Sequence, residues 1–207
     1  MAVAFHELWK PTACDEDIRK RWGASYATQG FLVVRNALRR EMLLALMRLW
    51  DKSTRSIQIR SVRHELEDRS VIDALTLDRV THIGMLENYD EMRSDISEKA
   101  REAIALLANY LDDPPKRAVL EKLRKLRNEH LAHRQPTQAN ATGATATDEE
   151  IERFYQDSSK LIQILLSIAH SMAYDPQDAA RVFAVYARHF WNRVTKQPSD
   201  VQAGILT

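Results

Sequence analysis

The stretch LRKLRNEHLAHRQP, Leu123 to Pro136, decides how the rest of the chain is read. Leucines recur at three- and four-residue steps, the spacing of one helix face. On a helical wheel Arg127 falls inside the arc made by Leu120, Leu123, Leu126 and Leu131. His130 and Arg134 lie on the same side. His133 and Asn128 sit on opposite rims, and Glu121, Lys125 and Glu129 form the polar face. A guanidinium in an apolar stripe needs a partner, because burying it alone costs several kcal/mol. Three partners fit: a core carboxylate such as Asp73 or Asp78, a second copy of the same helix, or a phosphate.

Outward from this stretch the chain predicts helices throughout and no strand. Asp112-Asp113-Pro114-Pro115 breaks one helix and starts the next, with proline in its first turn. The motif helix then spans about Pro114 to Arg134, and Pro136 cannot continue it. Upstream, helices are expected at about Asp15–Arg21, Ser25–Lys52, Ser56–Leu66, Asp68–Asp78 and Glu91–Leu111. The stretch Val80 to Tyr89, with Gly84, is ambiguous. Residues 135–147, QPTQANATGATAT, are small and polar and predict a mobile loop. Thr147 or Asp148 can cap the following helix, with Glu149 and Glu150 in its first turn. That helix stops near Asp175-Pro176, and a last one spans about Pro176 to Lys196. The expected fold is all-α: one helical bundle over residues 1–207, with a long N-terminal helix and additional short helices.

Composition agrees. With 207 residues, 44% hydrophobic, the chain can bury a core without metals or disulfides. Glycine (5) and proline (6) are scarce, which favours helix. The single cysteine, Cys14, rules out an internal disulfide and fits a reducing, cytoplasmic setting. The N-terminus lacks the basic start and apolar core of a signal peptide, and no apolar run is long enough for a membrane span. Net charge is +1, but basic residues gather in two stretches. One runs from Arg35 to Arg63. The other, Lys116 to Arg134, includes Lys122, Arg124 and Lys125. These stretches predict either a polyanion-binding face or two solvated helix faces paired with the acidic segment between them. Trp9, Trp22, Trp50 and Trp191 show no basic–aromatic interleaving, so they are expected to anchor the core or an interface rather than stack bases.

Arg127-Asn128, then four residues, then His133 resembles the R-x(4–6)-H signature of the HEPN superfamily. FLVVRNALRREMLLALMRLWDKS and SIQIRSVRHELED, in the first half, resemble its abortive-infection AbiU-type branch. The resemblance covers about residues 25–195, most strongly 31–68 and 120–134. It implies a HEPN-like bundle that dimerises with two motifs face to face. It also implies a metal-independent endoribonuclease of phage defence or of a toxin–antitoxin pair. Arg127 would contact the scissile phosphate, His133 would move protons, and Asn128 would orient them. His130 and Arg134 are auxiliary candidates by position. Lys122, Arg124 and Lys125 are candidates for RNA contact. No cofactor or metal is expected.

The chemistry supports the assignment on its own terms. RNA carries its own nucleophile, the 2′-hydroxyl, so an enzyme need only position the strand, neutralise charge and move protons. Histidine titrates near neutral pH, and an arginine fork matches phosphate oxygens. One histidine cannot readily serve both ends of one displacement, whereas two motifs at a two-fold axis supply two. The apolar stripe would then be the dimer seam. Two other readings stay open. His130 and His133, with Glu129, His64, His82 or His170, could share a metal. Alternatively, the domain could be a non-catalytic HEPN-like module that binds nucleotide, RNA or protein. If a nucleotidyltransferase-type antitoxin is a partner, Tyr155 or Tyr174 is a candidate modification site.

Overall fold

The computed structural model describes residues 1–22, 27–51, 59–132, 146–170 and 175–194. Helices α1 (Ala2–Cys14), α2 (Glu16–Trp22), α3 (Ala27–Leu49), α4 (Ile59–Glu67), α5 (Arg69–Ile83), α6 (Tyr89–Leu111), α7 (Pro114–Ala132), α8 (Asp148–His170) and α9 (Pro176–Val194) follow in order. One 3-10 turn, Leu86–Asn88, precedes α6. No strand occurs among the described residues, so the fold is all-α. The chain divides into two compact units, Leu46–Asp175 and Met1–Ala45 with Pro176–Thr207.

In the Leu46–Asp175 unit, α6 packs against α4, α5, α7 and α8. Ile96, Ala100, Ala103, Leu107, Tyr110 and Leu111 form its buried face. The two alanines leave room for neighbouring helices to approach. Leu120 and Leu123 of α7 and Ile151, Phe154, Leu161, Ile164 and Ile168 of α8 complete the core. Each such side chain contributes roughly 1.5–3 kcal/mol on burial. Trp50 closes one side. Its ring lies 5.1 Å from Tyr110 and 5.8 Å from Phe154, and its Nε1 donates to Ser158 Oγ at 3.1 Å.

The helix ends show why the chain turns where it does. Asp68 caps α5 by accepting from the Ser70 amide at 2.8 Å. At the other end Gly84 adopts φ 70°, and the Gly84 and Met85 amides return to Thr81 and Val80 carbonyls, a Schellman turn that favours glycine. Thr147 and Glu150 form a reciprocal capping box. The Glu150 amide donates to Thr147 Oγ1 (3.2 Å), and the Thr147 amide donates to Glu150 Oε2 (2.9 Å). Of the two residues expected to cap α8, Thr147 therefore does so.

Helix α5 runs past Asp78 to Ile83 and so takes in the start of the ambiguous stretch, Val80 to Ile83. The reason is Arg79, a charged residue in a buried position. It is only 8% exposed, and its Nη2 donates to the carbonyls of Ser167 (2.5 Å) and Ile168 (2.6 Å) in the last turn of α8. There a cation satisfies orphan carbonyls and opposes the negative end of the helix dipole. Composition makes the position look polar, while the tertiary partner makes it core.

The other unit begins with a helix the sequence did not announce. Pro11 lies inside α1 and suggests a break, because it removes an amide and crowds the carbonyl one turn back. Packing overrides it. Trp9 is fully buried, α1 packs against α9, and Trp191 Nε1 donates to the Leu8 carbonyl at 2.7 Å. Ile18, Phe31, Ala187 and Trp191 form the adjoining cluster. Asp15 Oδ1 accepts from the Asp17 and Ile18 amides and so starts α2. Trp9, Trp50 and Trp191 are core anchors as expected. Among the described residues, no helix is long and apolar enough to cross a membrane.

Candidate functional site

Helix α7 starts where the double proline dictates. Asp113 stands just ahead of Pro114, and its carbonyl accepts the Arg117 amide at 2.9 Å. One turn further on, the helix is tied to α8 by two cation–carboxylate contacts. Lys116 Nζ reaches Asp157 Oδ2 at 3.0 Å, and Lys122 Nζ reaches Glu150 Oε1 at 2.9 Å. The Lys122 hydrogen bond, followed by the Thr147 amide, holds the Glu150 carboxyl below its ordinary value. Asp157 also accepts from the Tyr110 hydroxyl at 2.8 Å. Burial, and then this bond, push the Tyr110 phenol well above its ordinary range.

The leucine stripe is partly core. Leu120 and Leu123 are 1% and 0% exposed, packed within their own chain, so that part of the stripe is not a seam awaiting a second copy. Leu126 and Arg127 are half-buried, and Asn128 is exposed. Arg127 Nη1 lies 3.4 Å from Asp51 Oδ1, and its Nε donates to Asn128 Oδ1 at 3.2 Å. The carboxylate beside Arg127 is thus Asp51, just beyond the end of α3, rather than Asp73 or Asp78. Asp73 instead accepts from Arg93 Nε at 2.5 Å. Arg127 thus shares a hydrogen bond with its neighbour Asn128, and Asp51, which the sequence did not single out, stands beside it as an ion-pair partner. Asp51 lies far from Arg127 along the chain; it falls in the stretch FLVVRNALRREMLLALMRLWDKS, but nothing in that stretch marks it as a partner of Arg127.

The remaining candidates divide. Arg124 is turned inward: Nη2 donates to the Trp50 carbonyl at 3.0 Å and Nη1 to Glu121 Oε1 at 2.6 Å. Lys122 is engaged by Glu150, and Lys125 lies on the exposed face. In this stretch the cations are therefore paired with carboxylates to a greater extent than a free polyanion-binding face would be. His130 lies on α7, but its side chain is outside the described residues, as are His133, Arg134 and residues 135–145 of the expected loop. The metal alternative built on His130 and His133 falls there too. Among the described residues, no three His, Cys, Asp or Glu side chains cluster as metal ligands. Tyr155 is 4% exposed and belongs to the core, so it is not an accessible modification site. Tyr174 lies outside the described residues.

The HEPN_AbiU2 family model, described as AbiU2, matches residues 1–190. No curated protein and no solved structure matches the chain.

Proposed function

From the premise that the chain belongs to the AbiU2 family of HEPN proteins, we propose that it is a metal-independent endoribonuclease acting in the cytoplasm, in phage defence or as a toxin restrained by an antitoxin, with a nucleotidyltransferase-type protein as candidate partner. The observation that carries this reading is Arg127. It is a motif arginine on a well-anchored helix, half-buried, with its fork held at Nε and Nη1 and no further bond to it among the described residues. Such a group suits a phosphate whose charge grows in the transition state.

In the proposed reaction the 2′-oxygen of one nucleotide attacks the adjacent phosphorus while His133 takes its proton. The bond to the 5′-oxygen breaks, and His133 of a second copy returns a proton to that oxygen. The products are a 2′,3′-cyclic phosphate and a 5′-hydroxyl. Histidine catalysis of this kind supplies about 10²–10⁴-fold. Asn128 helps hold Arg127, and His130 and Arg134 are neighbours of the same motif. The homodimer this requires would meet beyond Leu123, because Leu120 and Leu123 are already core.

The test uses the purified full chain and total cellular RNA in excess chelator. Fragments ending in cyclic phosphate are expected from the wild type, and none from His133→Ala at unchanged dimer content. Intact RNA with the wild type would remove the enzyme reading, and activity abolished by chelator would return the metal alternative. One observation favours a second reading, a non-catalytic HEPN-like binding module: Arg127 already has an in-chain carboxylate, Asp51. That module would retain RNA or nucleotide without cutting it.

A further inference from the structure

The last residue buried at the end of α3 and the first acceptor beyond it both act on α7. Trp50 is 1% exposed and fixed on three sides, by the Tyr110 and Phe154 rings and by Ser158 Oγ. Its carbonyl receives Arg124 at 3.0 Å. The carboxylate of the next residue, Asp51, forms an ion pair with Arg127 Nη1 at 3.4 Å. Arg124 and Arg127 are three residues apart on α7 and so share a face. Two adjacent residues thus face two successive arginines of the motif helix, the Trp50 carbonyl as hydrogen-bond acceptor and the Asp51 carboxylate as ion-pair partner.

We propose that Asp51 is a positioning residue for Arg127, a role that rests on the ribonuclease reading given above. The Asp51–Arg127 pair is partly exposed, with side chains 36% and 23% accessible. Such pairs contribute little to stability, so its consequence is orientation. Asp51 holds Nη1 and Asn128 holds Nε, which fixes the plane of the guanidinium. Among the described residues nothing bonds Nη2, so both its hydrogens are available to phosphate oxygens. The Trp50 anchor makes this orientation a property of the folded unit rather than of the bound RNA. Fixing a charged fork before substrate arrives reduces the reorganisation needed in the transition state. Asp51 would not touch RNA itself.

Two readouts on the full chain test this. Side-chain nitrogen NMR, with the Arg127 signal identified by its loss in Arg127→Lys, reports guanidinium rotation directly. Slow rotation is expected in the wild type and in Asp73→Asn, and fast rotation in Asp51→Ala. In cleavage assays Asp51→Ala should lower kcat by about tenfold or more, towards the ~10²-fold that an ångström of misplacement costs. KM should stay within about twofold, and Asp51→Glu should restore part of kcat. An unchanged Arg127 signal in Asp51→Ala overturns the proposal, as does an unchanged kcat. If wild-type protein does not cut RNA, the ribonuclease reading fails on its own, and the NMR arm still decides whether Asp51 orients Arg127.

Discussion

Arg79 and Arg127 look alike in the sequence: each is a cation on the apolar side of a helix. Their surroundings differ in kind. Arg79 is nearly sealed, donating to two backbone carbonyls of α8 and lying 3.6 Å from Met92 Sδ and 3.9 Å from Asp95. Backbone carbonyls cannot move away without unwinding the helix, so this arginine is part of the fold. Arg127 is held by two side chains, Asp51 and Asn128, one of them exposed. Side-chain partners can be exchanged for a ligand at little cost. The chemistry of the partner, more than the depth of burial, separates an arginine that builds from one that can act.

The largest effect expected from breaking this contrast is functional. Arg127→Ala should lower RNA cleavage by about 10²–10³-fold while its thermal midpoint stays close to wild type, since a part-exposed pair is worth about 0–1 kcal/mol. A denaturant melt and a cleavage assay on the same sample check both halves. Arg79→Ala should do the reverse. Losing charge-assisted bonds to two carbonyls should cost about 3 kcal/mol in a urea melt, with activity per folded molecule retained. If Arg127→Ala unfolds the chain and Arg79→Ala does not, the contrast is reversed.

A smaller effect sharpens the picture for α7. Glu150 has a carboxyl held below its ordinary value of 4.5 by Lys122 and the Thr147 amide. A depressed carboxyl contributes stability that is complete above about pH 4.5 and is lost as pH falls through its lower folded value. Glu150→Gln should therefore be less stable than wild type at neutral pH, and the gap should close in acid melts below that range. A gap independent of pH would mean that the capping box, not the charge, carries the contribution. The smallest effect is expected in the other unit. A Cβ on Gly30, within α3, meets nothing within 4 Å, so Gly30→Ala should add about 0.5–1 kcal/mol with no change in cleavage.

These cases also show how far the sequence could be followed. Helices α3, α6, α7, α8 and α9 were legible because their apolar residues repeat at helical spacing and because prolines, Asp113 and Thr147 mark their limits. Helix α1 was not, because Pro11 is a strong local signal and the burial of Trp9 that overrides it is tertiary. The continuation of α5 was hidden in the same way, since Arg79 becomes a core residue only once the carbonyls of α8 are beside it. At the candidate site, Arg127 and Asn128 were found through their spacing to His133. Asp51 was not, because a carboxylate that meets an arginine across most of the unit's length leaves no periodic trace. The inward turn of Arg124 escaped for the same reason, its acceptor being a main-chain oxygen.

Of the four tryptophans, Trp50 alone belongs to the Leu46–Asp175 unit. It is also the residue whose carbonyl grips α7 and whose neighbour faces Arg127. Fluorine placed on the indoles would therefore give this indole a resonance of its own, set apart from the three in the other unit. Its line shape would follow what happens at the motif helix as RNA is added, with a single buried atom as the reporter.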